Sequence, residues 1–201
     1  MKASGVRSAL LVVFAWLAIS CSQERAPSQT APLPASVRTT EQEARSTNKV
    51  LILASSVQGG LNSREADAAR ALGVLEENIH VVTPEQWGAK TAEEFMTYRT
   101  LIIGDAACQA GTAAFDAATA NANVWGAIVD GNVVIIGADP TTNQTQQLVE
   151  SAVAYAYGRQ TRTGMYVALG CAYKDAPEGT EVPLLAEFGS FKVAGVECVP
   201  S

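Results

Sequence analysis

Residues 132–140 read Asn-Val-Val-Ile-Ile-Gly-Ala-Asp-Pro, a continuous apolar run that ends in a glycine, then an aspartate, then a turn-forming proline. Apolar positions in succession, without period-two alternation, are the pattern of a strand covered on both faces, as in a parallel sheet between helices. The same pattern recurs at residues 100–105, Thr-Leu-Ile-Ile-Gly-Asp, and at residues 50–54, Val-Leu-Ile-Leu-Ala.

Outward from these runs the chain alternates strands with helices. Strands are expected at 49–54, 79–82, 101–104, 132–137 and 165–169, with a closing strand at 191–196. Asn62 followed by Glu65 reads as a capping box opening a helix that stops at Gly73. Thr83-Pro84-Glu85-Gln86 and Thr91 with Glu94 repeat that signal. An alanine-rich helix is expected over 111–120, and Asp130-Gly131 reads as the end of the segment that follows it. Asn143 and Gln146 open a helix with Leu148, Val149, Ala152, Val153 and Ala156 at helical spacing, ended by Gly158. Residues 182–188 read as a short helix or turn. This order predicts an α/β fold: a doubly wound, mostly parallel sheet with helices on both faces, flavodoxin-like in outline.

Upstream of that domain, Lys2 and Arg7 precede an apolar run from Ala9 to Ile19 that is too short for a permanent membrane span, so residues 1–20 read as a signal peptide. The following Leu17-Ala18-Ile19-Ser20-Cys21 resembles the lipobox of bacterial lipoproteins. The resemblance implies acylation of Cys21 and, with Ser22 rather than aspartate next, anchoring in the outer-membrane lipid. Residues 21–48, with Pro27, Pro32 and Pro34 among Ser, Thr, Gln and Ala, read as a flexible tether. Residues 49–201 are then a single domain.

The whole chain carries a formal charge of −6; without Lys2 and Arg7, twelve basic residues face twenty acidic ones, a charge of −8. No basic cluster interleaved with aromatics occurs, so nucleic acid is not an expected partner. His80 is the sole histidine and sits inside an expected strand. It is therefore read as a satisfied core or edge residue, and no metal site or cofactor is expected.

In a parallel sheet, ligands settle outside the carboxyl ends of the strands where strand order reverses. The residues delivered there are Ser55, Ser56 and Gln58 after the first strand, Asp105 after the third and Asp139 after the fourth, with Cys171 and Tyr173 after the fifth. Asp105 and Asp139 either cap the turns that follow them or form a carboxylate pair able to share a proton or bind a sugar. The loop 55–60 lacks the spacing of a phosphate loop. Cys108, Cys171 and Cys198 remain after Cys21. In an exported chain one disulfide is expected, with Cys171 and Cys198 the preferred pair because both follow late strands, and Cys108 either a small buried residue or a nucleophile.

The strand sequences at 50–54, 100–105 and 133–140 and their order resemble the class I glutamine-amidotransferase-like superfamily. Catalytic members carry a Gly-x-Cys-x-Gly elbow and a later histidine. Here Cys108 stands in Ala-Ala-Cys-Gln-Ala and no histidine follows it. The resemblance implies a degenerate, non-catalytic relative. The expectation is a lipid-anchored envelope module that binds a protein or glycan, serving an adhesion, transport or motility assembly. The alternative is an envelope carbohydrate hydrolase or lyase acting through Asp105 and Asp139, with Ser55 or Cys108 in support. Trp87 and Trp125 bear on it, since exposure beside the crevice favours sugar stacking.

Overall fold

The computed structural model describes residues 48–104, 108–137 and 146–194, the side chains of Cys108 and Gln109 excepted. All of these lie in one compact unit, Pro34–Ser201. Five strands, β1 (Val50–Leu53), β2 (Ile79–Val82), β3 (Thr100–Ile103), β4 (Val129–Ile136) and β5 (Thr163–Ala168), form one sheet in the order β2-β1-β3-β5-β4. Every neighbouring pair is parallel. The fold is a doubly wound α/β sheet, as the alternation of elements predicts.

The three inner strands are buried along their whole length, which is why they read as unbroken apolar runs. Their side chains alternate between two cores. Leu51, Leu53, Leu101, Ile103, Met165 and Val167 face one layer, packed on Trp87 of helix α2 (Pro84–Gly88), Phe95 of α3 (Ala92–Met96), Ala118 of α4 (Asp116–Ala120) and Trp125 of α5 (Ala122–Trp125). Val50, Ile52, Ile102, Tyr166 and Ala168 face the other, against α1 (Arg64–Ala71) and α6 (Gln146–Tyr157). In this layer α1 and α6 present alanines, Ala66, Ala69, Ala152 and Ala156, to the sheet, together with Val149 and Val153. At its closest point the Ala156 carbonyl meets β5 at Gly164, where any Cβ would collide with it.

Local signals fix several helix ends. The capping boxes at Thr83/Gln86 and Thr91/Glu94 both form. Gly73, at φ +80°, closes α1: its N–H donates to the Arg70 carbonyl and that of Val74 to the Ala69 carbonyl, a Schellman pattern. At the amino end of the sheet, Arg99 donates from Nε to the Tyr157 carbonyl at 2.8 Å and lies 3.8 Å over the Tyr157 ring.

The helix expected over 111–120 is α-helical only at Asp116–Ala120, after a 3-10 segment in which Gly111 leaves helical φ/ψ, and four further expectations need correction. First, β4 is an edge strand and only partly buried, because the chain crosses past one position before β5 returns to fill it. Second, Asp130-Gly131 does not end a segment but lies within β4, at a register irregularity between Val129 and Val133. Asp130 Oδ1 accepts from the Thr163 N–H at 3.1 Å, and a Cβ at Gly131 would meet the Thr163 carbonyl at 2.9 Å, so this close approach takes a glycine. Third, the cap of α1 is Ser63, whose hydroxyl accepts from the Ala66 N–H, rather than Asn62 with Glu65. Fourth, the described part of the closing strand, up to Ala194, contributes only an antiparallel bridge, Lys192 to Glu181. It folds back on the stretch ahead of the 3-10 turn Pro183–Phe188.

Candidate functional site

The chain leaves β1 for β2 on one side and later occupies β3 on the other, so strand order reverses between β1 and β3. At the carboxyl ends of those strands stand Ser55 and Ser56, in a 3-10 turn over Ala54–Ser56. Ser56 is fully buried. Its Oγ donates to the Leu53 carbonyl at 2.8 Å and accepts from the Gly104 N–H at 2.9 Å. Ser55 Oγ donates to the Ala114 carbonyl at 2.7 Å, tying the turn to the 3-10 segment Cys108–Phe115. Both hydroxyls are thus spent on the framework. Gln58 is exposed, and Gly59 and Gly60 take positive φ of 88° and 59°.

In the sequence Glu65 reads as a capping partner. Because the cap falls one residue later, at Ser63, Glu65 instead occupies the second position of α1 and is buried, 2% exposed, with its carboxylate against the backbone of Gly104. A carboxylate is therefore held at the strand-end crevice by a residue whose sequence context signals only a helix start. Asp105, Asp139, Cys21 and Cys198 lie outside the described residues, as does the side chain of Cys108. Cys171 is buried and disulfide-bonded.

A second concavity opens at the carboxyl ends of β4 and β5. This pocket of about 400 Å³ is walled by Ile135 of β4, Leu169, Val182, Leu185, Phe191 and Val193. Tyr173 and Lys174 reach it from α7 (Gly170–Tyr173) and the residue beyond, and Lys192 from the bridge to Glu181. Burial raises the Tyr173 phenol above its ordinary value, so the hydroxyl stays a donor at neutral pH. The sequence places Tyr173 at the strand ends but does not mark the other walls of this pocket as a site. The available signal was an aromatic followed by lysine, Tyr173-Lys174 and Phe191-Lys192, on either side of a proline-led turn.

The remaining candidates serve the framework. His80 Nδ1 lies 2.8 Å from the Tyr98 hydroxyl and Nε2 3.1 Å from the Glu77 carbonyl. The carbonyl can only accept, which assigns the proton to Nε2 and leaves Nδ1 accepting from Tyr98. Tyr98 is raised above its usual value by burial and, less, by Glu94. Both ring nitrogens of His80 are engaged, at an edge strand distant in the sheet order from β4 and β5. Trp87 and Trp125 are fully buried, Trp125 donating from Nε1 to the Ala118 carbonyl at 2.8 Å, so neither offers a face to a sugar. Among the described residues no group of three or more His, Cys, Asp and Glu could hold a metal ion. None of the described helices is long and apolar enough to cross a membrane.

No family model matches the chain. No curated protein and no solved structure matches it either. Two strand-end sites remain as candidates, one closed by internal hydrogen bonds and one open.

Proposed function

We propose that the chain is a lipid-anchored, non-catalytic binding module of the bacterial envelope, held in the outer membrane through acylated Cys21 and engaging a protein or glycan as part of an adhesion, transport or motility assembly. The observation that carries the non-catalytic part is the commitment of Ser55 and Ser56 to framework hydrogen bonds, while the open pocket lies elsewhere, at the ends of β4 and β5. A nucleophile needs a hydroxyl free to lose its proton to a base; these two are held by backbone groups. The disulfide at Cys171 supports export, since such bonds persist in oxidising compartments. The proposal includes Cys198 as its partner and descent from the class I glutamine-amidotransferase-like superfamily with the catalytic elbow lost.

A second reading is favoured by Glu65. Its buried carboxylate lies against Gly104, the residue that precedes Asp105 in the sequence, so an envelope carbohydrate hydrolase acting through Asp105 and Asp139 would have a further acid held at the end of β3.

Cross-linking in intact cells, with Cys21→Ser as the unanchored control, tests the first reading. The expected result is a reproducible envelope partner that is lost in the control. Abundant, folded, anchored protein with no specific neighbour refutes it. Glycan hydrolysis that disappears in Asp105→Asn or Asp139→Asn would install the second.

A further inference from the structure

We propose that the pocket at the carboxyl ends of β4 and β5 binds a small amphipathic anion, an aliphatic or aromatic body carrying one carboxylate. The inference rests on the binding-module reading and names the ligand class of its open site. The wall formed by Ile135, Leu169, Val182, Leu185, Phe191 and Val193 is apolar, so the body of the ligand must be apolar too. A volume of about 400 Å³ suits a chain of ten or so carbons or a bicyclic ring, near the lower end of small-molecule sites.

The charge of the ligand follows from the rim. In a chain of net charge −6, no described residue lining this pocket is acidic, and two are lysines. Lys174 and Lys192 come from separate elements and converge on one concavity. Each is about half exposed, and each meets an exposed carboxylate, Asp175 at 3.6 Å and Glu181 at 3.7 Å. Surface pairs of this kind are weak and exchange readily for a better anion. The Tyr173 hydroxyl, which makes no hydrogen bond among the described residues, adds a neutral donor on the same wall.

The test is a titration of decanoate into the full chain carrying Cys21→Ser, so that no acyl group competes, followed by calorimetry and methyl NMR. Saturable one-to-one binding is expected, with shifts at Ile135, Val182 and Leu185. Decan-1-ol and decyltrimethylammonium should bind about tenfold more weakly or worse, a difference of roughly one charge-assisted contact. The double variant Lys174→Ala/Lys192→Ala, confined to exposed side chains, should weaken decanoate about 10- to 100-fold and leave decan-1-ol unchanged. Absence of saturable binding overturns the proposal, as do equal affinities for decanoate and decan-1-ol, indifference to the double variant, or shifts mapping elsewhere. A chain that cross-links to its envelope partner yet ignores decanoate sinks this inference alone. Decanoate binding without any envelope partner sinks the module reading and leaves the pocket's ligand class standing.

Discussion

Replacing Ser56 by alanine removes a single oxygen and should cost the domain a large part of its stability. That oxygen serves two backbone groups at once, accepting from the Gly104 N–H at the end of β3 and donating to the Leu53 carbonyl at the end of β1. Both Ser56 and Gly104 are buried, so water does not replace the lost partner. Stranding the Gly104 N–H costs about 1–3 kcal/mol, and the lost donation to Leu53 about 1 more. The sum, about 2–4 kcal/mol, is a substantial share of the roughly 5–15 kcal/mol that holds a typical domain together. With a urea m-value of about 2 kcal/mol/M, the unfolding midpoint should fall by about 1–2 M. Ser55→Ala is the internal control. It removes one bond, to the Ala114 carbonyl, from a half-buried site, and should cost about 1 kcal/mol or less. The assay is equilibrium urea unfolding followed by fluorescence of Trp87 and Trp125. A Ser56→Ala midpoint within about 0.3 M of the parent at unchanged m would refute the structural role and reopen Ser56 as a group available for chemistry.

Two further outcomes follow from the packing and from titration. Gly164→Ala should destabilise by about 3 kcal/mol or more, because its methyl enters the Ala156 carbonyl of α6 and the helix must move off the sheet. Gly88→Ala, with open space around the added methyl, should instead gain about 0.5–1 kcal/mol, so thermal melts of the two should shift in opposite directions. Burial, with a smaller contribution from Glu94, raises Tyr98, and burial raises Tyr173. A folded pKa above the unfolded one gives a contribution that is whole below the unfolded value, near 10, and lost as pH climbs through the folded value. Melting temperature should therefore be level with respect to these two groups up to about pH 9 and fall above pH 10. Tyr98→Phe should make that alkaline fall shallower, and an unchanged slope would contradict the assignment.

What the sequence revealed was local, and what it hid was long-range. A capping box involves residues three apart, so Thr83 with Gln86 and Thr91 with Glu94 are complete statements in themselves, as is Gly73 at the end of α1. The run Val133–Ile136 announces a strand but carries nothing about its neighbours. A central and an edge position differ only in whether another strand pairs on the far side, and that is decided by where β5 returns. Asp130-Gly131 looks like a stop because its partner, the Thr163 N–H, lies 33 residues away.

The site follows the same rule. Ser55 and Ser56 are correctly placed by their position after β1, but their roles are settled by the Ala114 carbonyl and the Gly104 N–H, neither of them a sequence neighbour. Glu65 was hidden by a shift of one residue in the helix frame: with Asn62 as cap it would reach back to the amino end of the helix, whereas with Ser63 as cap it turns inward to Gly104. The pocket has no local motif because its walls span Ile135 to Ala194 and come together only when Lys192 bridges to Glu181. That fold-back is also what brings Lys192 and Lys174 to one rim. A lysine in an acidic chain is ordinarily placed for solubility, surrounded by carboxylates that screen it. Two that share an apolar pocket free of described acidic lining residues, each loosely paired with an exposed carboxylate, Asp175 or Glu181, leave a weakened positive field at its rim once those pairs open. Such a field attracts an anion only at short range, within about 10 Å at ordinary salt, so selection must occur at the pocket mouth, and raising ionic strength should weaken decanoate while leaving decan-1-ol unaffected.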